Sequence, residues 1–331
     1  MPVTTADRSP RAGGSPRWRA PGRTGWSIGS ALLLAVACAS PGQTTREFDG
    51  EAAFRYLEQQ VAFGYRIPGT PAHVATGDWI ESLVRQRADT VLVQSWTHVT
   101  SDGDSLAMRN ILARFRPASP ERILFLAHWD TRPVSDNPLW TGARTPVPGA
   151  NDGASGVAVL LGMADALRAR PPEVGVDLLF VDGEDYGDFQ RQPDDVLIGS
   201  RYFARNLPPG PRPLYAVLFD LVADSGLRLL PEGQSLLGAP EVVDLVWRVA
   251  DEIGHGDIWV NAPGAGPTLT DDHVELQKVG IRAIDVVDFD YGPRNAWWHT
   301  PEDTLGKVSA RSLQVVGDVG MALVRRNAAS R

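Results

Sequence analysis

Four short apolar runs, each about the length of a β-strand, constrain the fold of this chain more than any other feature. They are Arg122–Ala127, Val174–Val181, Leu214–Leu221 and Arg282–Val287, and polar residues interrupt them only rarely. Strands of this kind are typical of a parallel sheet that is covered on both faces. The segments between them carry apolar residues at helical spacing, as at positions 157, 160, 161, 164 and 167. The pattern predicts one α/β domain with a mostly parallel mixed sheet sandwiched by helices.

The remaining elements follow from the same two periodicities. Further strands are predicted at Thr90–Val99 and Met108–Phe115. No internal repeat or linker divides the chain, so a single domain of about 290 residues is the economical interpretation. Helices are predicted at Phe48–Phe63, from the Pro71 loop to Arg87, at Gly153–Arg170, at Pro240–Ile253 and at Ser309–Arg325.

Composition excludes several classes of protein. The chain has 331 residues, of which 43% are hydrophobic, and this is enough apolar material for a large core, so general disorder is excluded. The formal net charge of −8 argues against a surface that binds nucleic acid. Cys38 is the only cysteine, which excludes an internal disulfide framework and a thiolate metal site. Any metal site in the folded body must therefore use ligands other than thiolate.

The N-terminal segment is predicted to be an export signal and not part of the fold. Residues 1–24 are rich in Arg, Pro, Gly and Ser, and an apolar run from Ile28 to Ala37 follows them. A basic region before a short apolar run is typical of a signal peptide, and this run is too short to span a bilayer. Small residues directly before Cys38 resemble a bacterial lipobox, in which the cysteine is lipidated. An ordinary signal peptide with a chance cysteine is the alternative.

These interpretations predict how the mature protein is organised. A signal peptide would span residues 1–37, a tether 38–47 and the folded domain 48–331. Because the first 37 residues carry five Arg and one Asp, the remainder has a formal charge of −12. We expect an exported protein of the periplasm or cell envelope, with no nucleic-acid partner and with membrane attachment only through a lipid on Cys38.

Acidic and imidazole side chains gather where the predicted strands end. In α/β sheets, ligands bind beyond the carboxyl ends of the strands. Taken singly, each group has an ordinary explanation, such as a helix N-cap for Asp152 or a satisfied core histidine for His128. Their number at one edge of the sheet favours a functional site. The segments are His128–Asp130, Asn151–Asp152, Asp182–Asp185, Asp220, Asp271–His273 and Trp297–Thr300.

The chemistry of these side chains indicates a bound cation. Several carboxylates at one edge repel each other unless a cation or shared protons relieve the repulsion. Zinc takes nitrogen and carboxylate ligands and keeps one position open in catalytic sites, so Asp152, Asp185 and His299 are candidate ligands. Glu184, beside a ligand carboxylate, is a candidate general base or acid. His128-x-Asp130 has the spacing of a ligand histidine with a carboxylate that orients it.

In their order along the chain, these motifs resemble those of the zinc peptidase family M28. The resemblance covers about residues 50–325 and implies the α/β fold of zinc aminopeptidases and phosphorylase-hydrolase-like proteins. It is nearest to the bacterial glutaminyl cyclase branch, as judged from Asp271-Asp272-His273, from Trp298 before His299 and from Gly199-Ser200-Arg201. The motifs are His128-x-Asp130, Asn151–Gly156, Asp182–Asp185, Phe219-Asp220, Asp271–His273 and Trp298–Thr304.

The resemblance implies a metal set for each of two related enzymes. In a glutaminyl cyclase, Asp152, Asp185 and His299 would hold a single zinc. In a two-zinc aminopeptidase, Asp152 would bridge the metals, while His128 and Asp220 would complete the second site. Both sets are present. The residues are therefore compatible with one zinc ion or with two.

Catalytic and substrate-binding roles are implied as well. Glu184 would be the proton shuttle, with Asp220 and Asp272 in a carboxylate network next to it. Trp298 would form a wall of the substrate pocket. Other expected positions are Trp297 and Phe189 at the substrate and Asp130, Asp271 and His273 behind the ligands.

Three functions follow as hypotheses. The first is a zinc-dependent glutaminyl-peptide cyclotransferase, which converts the N-terminal glutamine of peptides to pyroglutamate and releases ammonia. The alternative is a zinc aminopeptidase, in which Glu184 activates water against the first peptide bond. In both, the partner is the N-terminus of a peptide or protein. The third hypothesis is a lipoprotein that keeps the fold as a non-catalytic binding module. The full set of candidate ligands argues against it.

Overall fold

The computed structural model describes residues 15–18 and 46–329. Residues 15–18 contain no helix or strand. Cys38 and most of the expected signal peptide and tether lie outside the described residues, so the export signal, the tether and the lipid anchor stay predictions. Among the described helices, none combines the length and the apolar character that a membrane crossing requires.

Within residues 46–329, six strands form one mixed sheet. They are β1 (Thr90–Val99), β2 (Ser105–Phe115), β3 (Arg122–His128), β4 (Gly175–Val181), β5 (Tyr215–Asp220) and β6 (Ala283–Val287). Their order is β1-β2-β4-β3-β5-β6. β1 and β2 are antiparallel to their neighbours, whereas β4, β3, β5 and β6 are mutually parallel. Because β4 and β5 lie on opposite sides of β3, the strand order reverses at β3, where a crevice opens at the carboxyl ends.

Eight α-helices and one short 3-10 helix (Leu305–Lys307) accompany the sheet in the same part of the chain. They cover both of its faces, as expected for buried parallel strands. The α-helices are α1 (Gly50–Ala62), α2 (Pro71–Arg85), α3 (Ala154–Ala169), α4 (Ile198–Arg205), α5 (Gly233–Gly238), α6 (Pro240–Glu252), α7 (Asp272–Lys278) and α8 (Ala310–Ala329).

The larger core lies on the face that α3 covers, together with α1, α6 and α8. Helix α3 is buried on nearly all sides because it is sandwiched between the sheet and these helices. Gly156 allows this close approach: a Cβ at this position would lie 2.0 Å from the carbonyl oxygen of Phe219 and 2.8 Å from Cβ of Ala127. The opposite face carries a smaller core, to which α4 contributes Phe203 and α7 contributes Leu276.

The strands and long helices expected from the sequence are present, with ends shifted by at most four residues. The predicted fold class is confirmed. Strand β2 begins at Ser105, earlier than expected, because its first residues pair with β1 although apolar character is weak there. The short helices α4, α5 and α7 are not predicted from the sequence. Each has eight residues or fewer, and such segments carry little periodic signal.

A buried ionic cluster explains the one acidic residue inside the apolar run of β4. The Asp177 carboxylate accepts two hydrogen bonds from the Arg122 guanidinium, at 2.7 and 2.8 Å. Arg114 Nε donates a third at 3.1 Å. All three side chains are less than a tenth exposed. The cluster joins β2, β3 and β4 at the sheet edge opposite the crevice.

Removing Asp177 should destabilise the domain strongly. The variant Asp177→Ala leaves Arg122 and Arg114 buried without their anion, so we expect the free energy of unfolding to fall by about 3–5 kcal/mol. Urea titration measures this change. The matched control is Asp78→Ala, which removes an exposed ion pair with Arg109 and should cost less than about 1 kcal/mol. Similar losses in the two variants would contradict the role of the cluster.

Candidate active site

The predicted site residues meet at the crevice beyond β3, β4 and β5. His128 is the last residue of β3 and Asp220 the last of β5. Glu184 and Asp185 follow β4 in a turn, in which Gly183 adopts a positive φ of +69°. All four side chains converge because parallel strands end at the same edge of the sheet.

Asp152 is held in place through its backbone N–H group, and it is not the N-cap of α3. The N-cap of α3 is Gly153, at φ +86°, and α3 has no side-chain capping bond. The Asp303 carboxylate instead accepts hydrogen bonds from the backbone N–H groups of Asn151 at 2.8 Å and Asp152 at 3.1 Å. The Tyr291 hydroxyl donates to Asp303 at 2.7 Å. The Asp152 side chain is therefore free to face the crevice.

Asp130 supports the turn after β4. Its two carboxylate oxygens accept hydrogen bonds from the backbone N–H groups of Glu184 and Asp185, at 3.0 and 3.1 Å. His128 Nδ1 lies 3.5 Å from Asp130 Oδ1. Asp130 thus lies beside His128 as expected from the sequence, but its hydrogen bonds fix the turn that carries Glu184 and Asp185.

Two sets of side chains have the geometry of a metal site among the described residues. One consists of Asp152, Asp185 and His299, and the other of His128, Asp152 and Asp220. In each set the potential ligand atoms lie within 4.8 Å of one another. Asp152 belongs to both sets, as the resemblance implied.

The first set fits a zinc ion on chemical grounds. Asp185 Oδ2 is buried without a hydrogen-bond partner, which is costly unless another ligand takes it. Burial and then repulsion from Asp185 raise the pKa of Asp152 to about 6. Two carboxylates and one imidazole in such a position suit zinc, with a coordination position left for substrate.

Glu184 has the electrostatics of a proton-transfer group. Its side chain is 8% exposed. Burial, followed by repulsion from Asp271 and Asp185, raises the pKa of Glu184 well above its ordinary value. A carboxyl group with a raised pKa holds a proton more readily than an ordinary one and can act as a general acid or base.

The carboxylate network behind Glu184 includes Asp271 as well as Asp220 and Asp272. Burial, and next repulsion from Asp220, raises the pKa of Asp271 well above its ordinary value. Burial is also the main cause that raises the pKa of Asp272 to about 7. Among the charged neighbours of Glu184, Asp271 has a larger effect than Asp272. Asp271, expected from the sequence only as an outer residue, thus contributes more than Asp272 to the raised pKa of Glu184.

Aromatic rings form one side of the site. The Trp298 ring stacks on the His299 imidazole, with centroids 3.7 Å apart and planes at 22°. Phe289, which the sequence did not single out, packs edge-on against Trp298 at 4.9 Å. A pocket of about 550 Å³ opens over His299, and its walls include Trp298 and Phe189.

Trp297 lies apart from this pocket. Its ring packs edge-on against Tyr291 at 5.5 Å, and the Lys307 ammonium lies 4.3 Å from its ring centroid. The structure thus brings Trp298 and Phe189 to the pocket and gives Trp297 a packing role.

Two residues that contact the candidate ligands are not predicted from the sequence. Arg132 Nη1 donates to Asp185 Oδ1 at 2.6 Å, and Asp136 Oδ1 lies 2.9 Å from His299 Nδ1. Their opposite charges four positions apart are visible in the sequence, but their partners are 53 and 163 residues away. Only the fold reveals these contacts.

His273 is paired with a carboxylate outside the catalytic cluster. Its Nε2 lies 3.3 Å from Glu232 Oε2, and both side chains are fully buried. Burial alone would raise the pKa of Glu232, but His273 and three backbone N–H groups outweigh it and lower the pKa to about 2. The N–H donors belong to Leu269, Gln234 and Ser235. His273, at the start of α7 next to Asp271 and Asp272, therefore lies against the buried Glu232 carboxylate.

Comparisons with known proteins agree with this arrangement. A family model described as peptidase family M28 matches residues 110–324. A solved glutaminyl cyclase of Bacteroides thetaiotaomicron, bound to N-acetylhistamine, is 34% identical over 84% of this chain and 97% of its own, with a TM-score of 0.79. A leucine aminopeptidase precursor from the same organism has the same identity, coverage and TM-score.

A curated relative points to hydrolases as well. Aminopeptidase YwaD of Bacillus subtilis is 26% identical over 74% of this chain. The match covers 48% of YwaD, so the chain spans about half the length of that relative. The similar proteins thus include a cyclase and aminopeptidases.

Acid should remove the stability that the Glu232 carboxylate provides. Its folded pKa is about 2 and its ordinary value 4.5, so the contribution is complete above about pH 4.5 and is lost as the pH falls toward 2. At pH 7 we expect Glu232→Gln to lower the free energy of unfolding by about 1.5–3 kcal/mol. At pH 3 the difference from wild type should be smaller. Urea titrations at pH 7 and pH 3 measure both values.

The control for this experiment is Glu241→Gln. Glu241 is half exposed and forms a surface ion pair with Arg282, so its replacement should change the free energy of unfolding by less than about 1 kcal/mol. A Glu232→Gln deficit of equal size at pH 7 and pH 3 would contradict the lowered pKa.

Proposed function

The chain belongs to peptidase family M28, and on that premise we propose that it is a zinc-dependent glutaminyl-peptide cyclotransferase. Its substrate is the N-terminal glutamine of a peptide or protein, and its products are pyroglutamate and ammonia. Asp152, Asp185 and His299 hold the zinc ion in this proposal. The 34% identity to a solved glutaminyl cyclase over nearly its whole length supports it.

One observation carries the choice of a cyclase: the aromatic wall beside the metal ligands. Trp298 lies flat on His299 and is braced by Phe289. A small, flat carboxamide can pack on such a wall while it reaches the ligand side chains, and the ring displaces water from the reacting carbon. Exclusion of water favours attack by the substrate's own amine over hydrolysis.

The reaction requires one proton transfer, which we assign to Glu184. Zinc, when bound, would polarise the side-chain carbonyl of the glutamine as a Lewis acid. The α-amine of the same residue bonds to that carbon and closes the ring, while the bond to the carboxamide nitrogen breaks. Glu184 takes a proton from the attacking amine and delivers it to the departing nitrogen, which leaves as ammonia.

Asp220 and Asp271 keep Glu184 ready for this transfer. Burial, and next repulsion from Asp271, raises the pKa of Glu184. Burial, and next repulsion from Asp220, raises the pKa of Asp271 in turn, so Asp220 acts on Glu184 through Asp271, and in this proposal the carboxylates share a proton. The raised pKa of Glu184 lets it accept the amine proton and pass it on without a large energetic penalty.

A second function is favoured by a specific observation. His128, Asp152 and Asp220 form a second set of potential ligands, and an aminopeptidase with two metals would use both sets. In that case Glu184 activates a water molecule against the first peptide bond. The two enzymes share the site and differ in the nucleophile.

Peptides that begin with glutamine separate the two functions. We expect the purified protein to release ammonia from a Gln-initiated peptide and to leave the rest of the peptide intact. The same peptide with leucine first should remain unchanged. Mass spectrometry of the peptide and an ammonia assay give the result. Release of the first amino acid from both peptides would identify an aminopeptidase and refute the cyclase.

Replacing Glu184 should separate catalysis from metal binding. We expect Glu184→Gln to retain zinc while kcat/KM falls by about 10²–10⁴-fold, because the amide cannot carry the proton. Metal analysis and steady-state kinetics measure both quantities. Glu241→Gln, at the surface, should match wild type. Turnover within a few-fold of wild type in Glu184→Gln would refute its role.

A further inference from the structure

We propose that Arg132 and Asp136 position the ligands of the Asp152–Asp185–His299 set and thereby determine how tightly this set holds zinc. The inference rests on the metal centre of the proposed function, but it holds equally for a cyclase and for an aminopeptidase. Arg132 and Asp136 touch ligand side chains and not the reacting atoms, so they are positioning residues.

Asp136 fixes the orientation of the His299 ring. Its Oδ1 lies 2.9 Å from His299 Nδ1, so an Nδ1–H group that donates to it leaves the lone pair of Nε2 free. Nε2 lies 3.3 Å from Asp185 Oδ1 and 3.6 Å from Asp152 Oδ2, which is where a shared cation belongs. A carboxylate behind a histidine ligand selects the tautomer and makes the ring a stronger ligand.

Arg132 connects the ligand candidate Asp185 with Asp136, the carboxylate behind His299. Its Nη1 donates to Asp185 Oδ1 at 2.6 Å and to the Asp185 carbonyl at 3.3 Å. Its Nε donates to Asp136 Oδ1 at 2.8 Å. The Arg132 side chain is only 5% exposed, so these charge-assisted bonds are shielded from water. A planar guanidinium with fixed donor directions sets the distance between the two carboxylates, which an ammonium group would not.

The backbone of the same segment holds His299 in a costly conformation. His299 has a positive φ of +54°, which costs a residue other than glycine about 1–3 kcal/mol. The Asp136 N–H donates to the His299 carbonyl at 3.2 Å. The Asn137 side-chain amide donates to the carbonyls of Trp298 and Asn295, each at 2.8 Å. These bonds restrain the loop that presents both Trp298 and His299.

The second set of potential ligands has weaker support among the described residues. Within the described residues, His128 Nδ1 is buried without a hydrogen-bond partner. Asp130 Oδ1 lies 3.5 Å from Nδ1, and the Asp130 oxygens already accept hydrogen bonds from the backbone of Glu184 and Asp185. We therefore expect the two sets to differ in affinity, with tight zinc binding at the set that Arg132 and Asp136 support.

Zinc affinity tests the inference directly. The purified protein is stripped of metal, and its dissociation constant for zinc is measured by competition with a chelating indicator. We expect one tight site in wild type and about 10–100-fold weaker binding in Asp136→Ala and in Arg132→Gln. Asp136→Asn should lie between, because its amide oxygen still accepts from Nδ1 while the ion pair with Arg132 is lost. Asp78→Asn, which breaks an exposed pair with Arg109, should match wild type.

A separate control distinguishes a loss of folding from a loss of ligand positioning. Thermal unfolding of each metal-free variant shows whether the fold is intact, and the conservative Asp136→Asn provides an affinity even if Asp136→Ala unfolds. In the cyclase assay, we expect the kcat of each variant to be closer to the wild-type value at saturating zinc than at limiting zinc.

Three outcomes would overturn the inference, and they differ from failure of the cyclase proposal. Zinc affinities within twofold of wild type in folded Asp136→Asn and Arg132→Gln would refute the positioning role alone. If the wild-type protein binds two zinc ions with the same affinity, the predicted difference between the two sets is refuted. Wild type that binds no zinc would refute the metal centre together with this inference, whereas hydrolysis in place of cyclisation would leave the inference standing.

Discussion

The site depends on mutual repulsion among carboxylates that the fold forces together away from water. Burial and the neighbouring negative charges raise the pKa values of Asp152, Glu184 and Asp271. Such a cluster is tolerable when a cation neutralises part of it and when protons are shared among the rest. In the proposed function, this repulsion favours the binding of a metal ion and the sharing of a proton among the carboxylates. Structure and proposed chemistry therefore have one physical origin.

A second group of carboxylates makes this arrangement possible without belonging to it. Asp303 holds the backbone before α3, and Asp130 holds the turn after β4. Glu232 anchors α5 and contacts His273 on α7. Each of them accepts hydrogen bonds from backbone N–H groups and thereby fixes the position of the backbone. Because these residues fix the backbone, the side chains of Asp152 and Asp185 remain free to face the crevice.

Much of the fold and part of the site could be predicted from the sequence, for identifiable reasons. Apolar runs such as Val174–Val181 are long enough to identify a strand, and the spacing in α3 identifies a buried helix. The ligand candidates stood out because they directly follow those runs. Contacts between distant segments could not be predicted in this way. Arg132 and Asp136 lie in a Pro/Gly-rich segment without periodicity, and Phe289 is one aromatic residue among several until the fold places it against Trp298.

The sequence by itself determined the α/β class, the family and the identity of the side chains at the strand ends. These depend on local patterns: hydrophobic periodicity, and the order of short motifs along the chain. Only the tertiary structure decided which carboxylates face the crevice and which bind backbone, and that Asp271 acts on Glu184 more strongly than Asp272 does. It also decided that Asp136 and Arg132 reach His299 and Asp185. The physical reason is that hydrogen bonds and charge repulsion depend on distances in space of a few ångströms, which sequence separation does not encode.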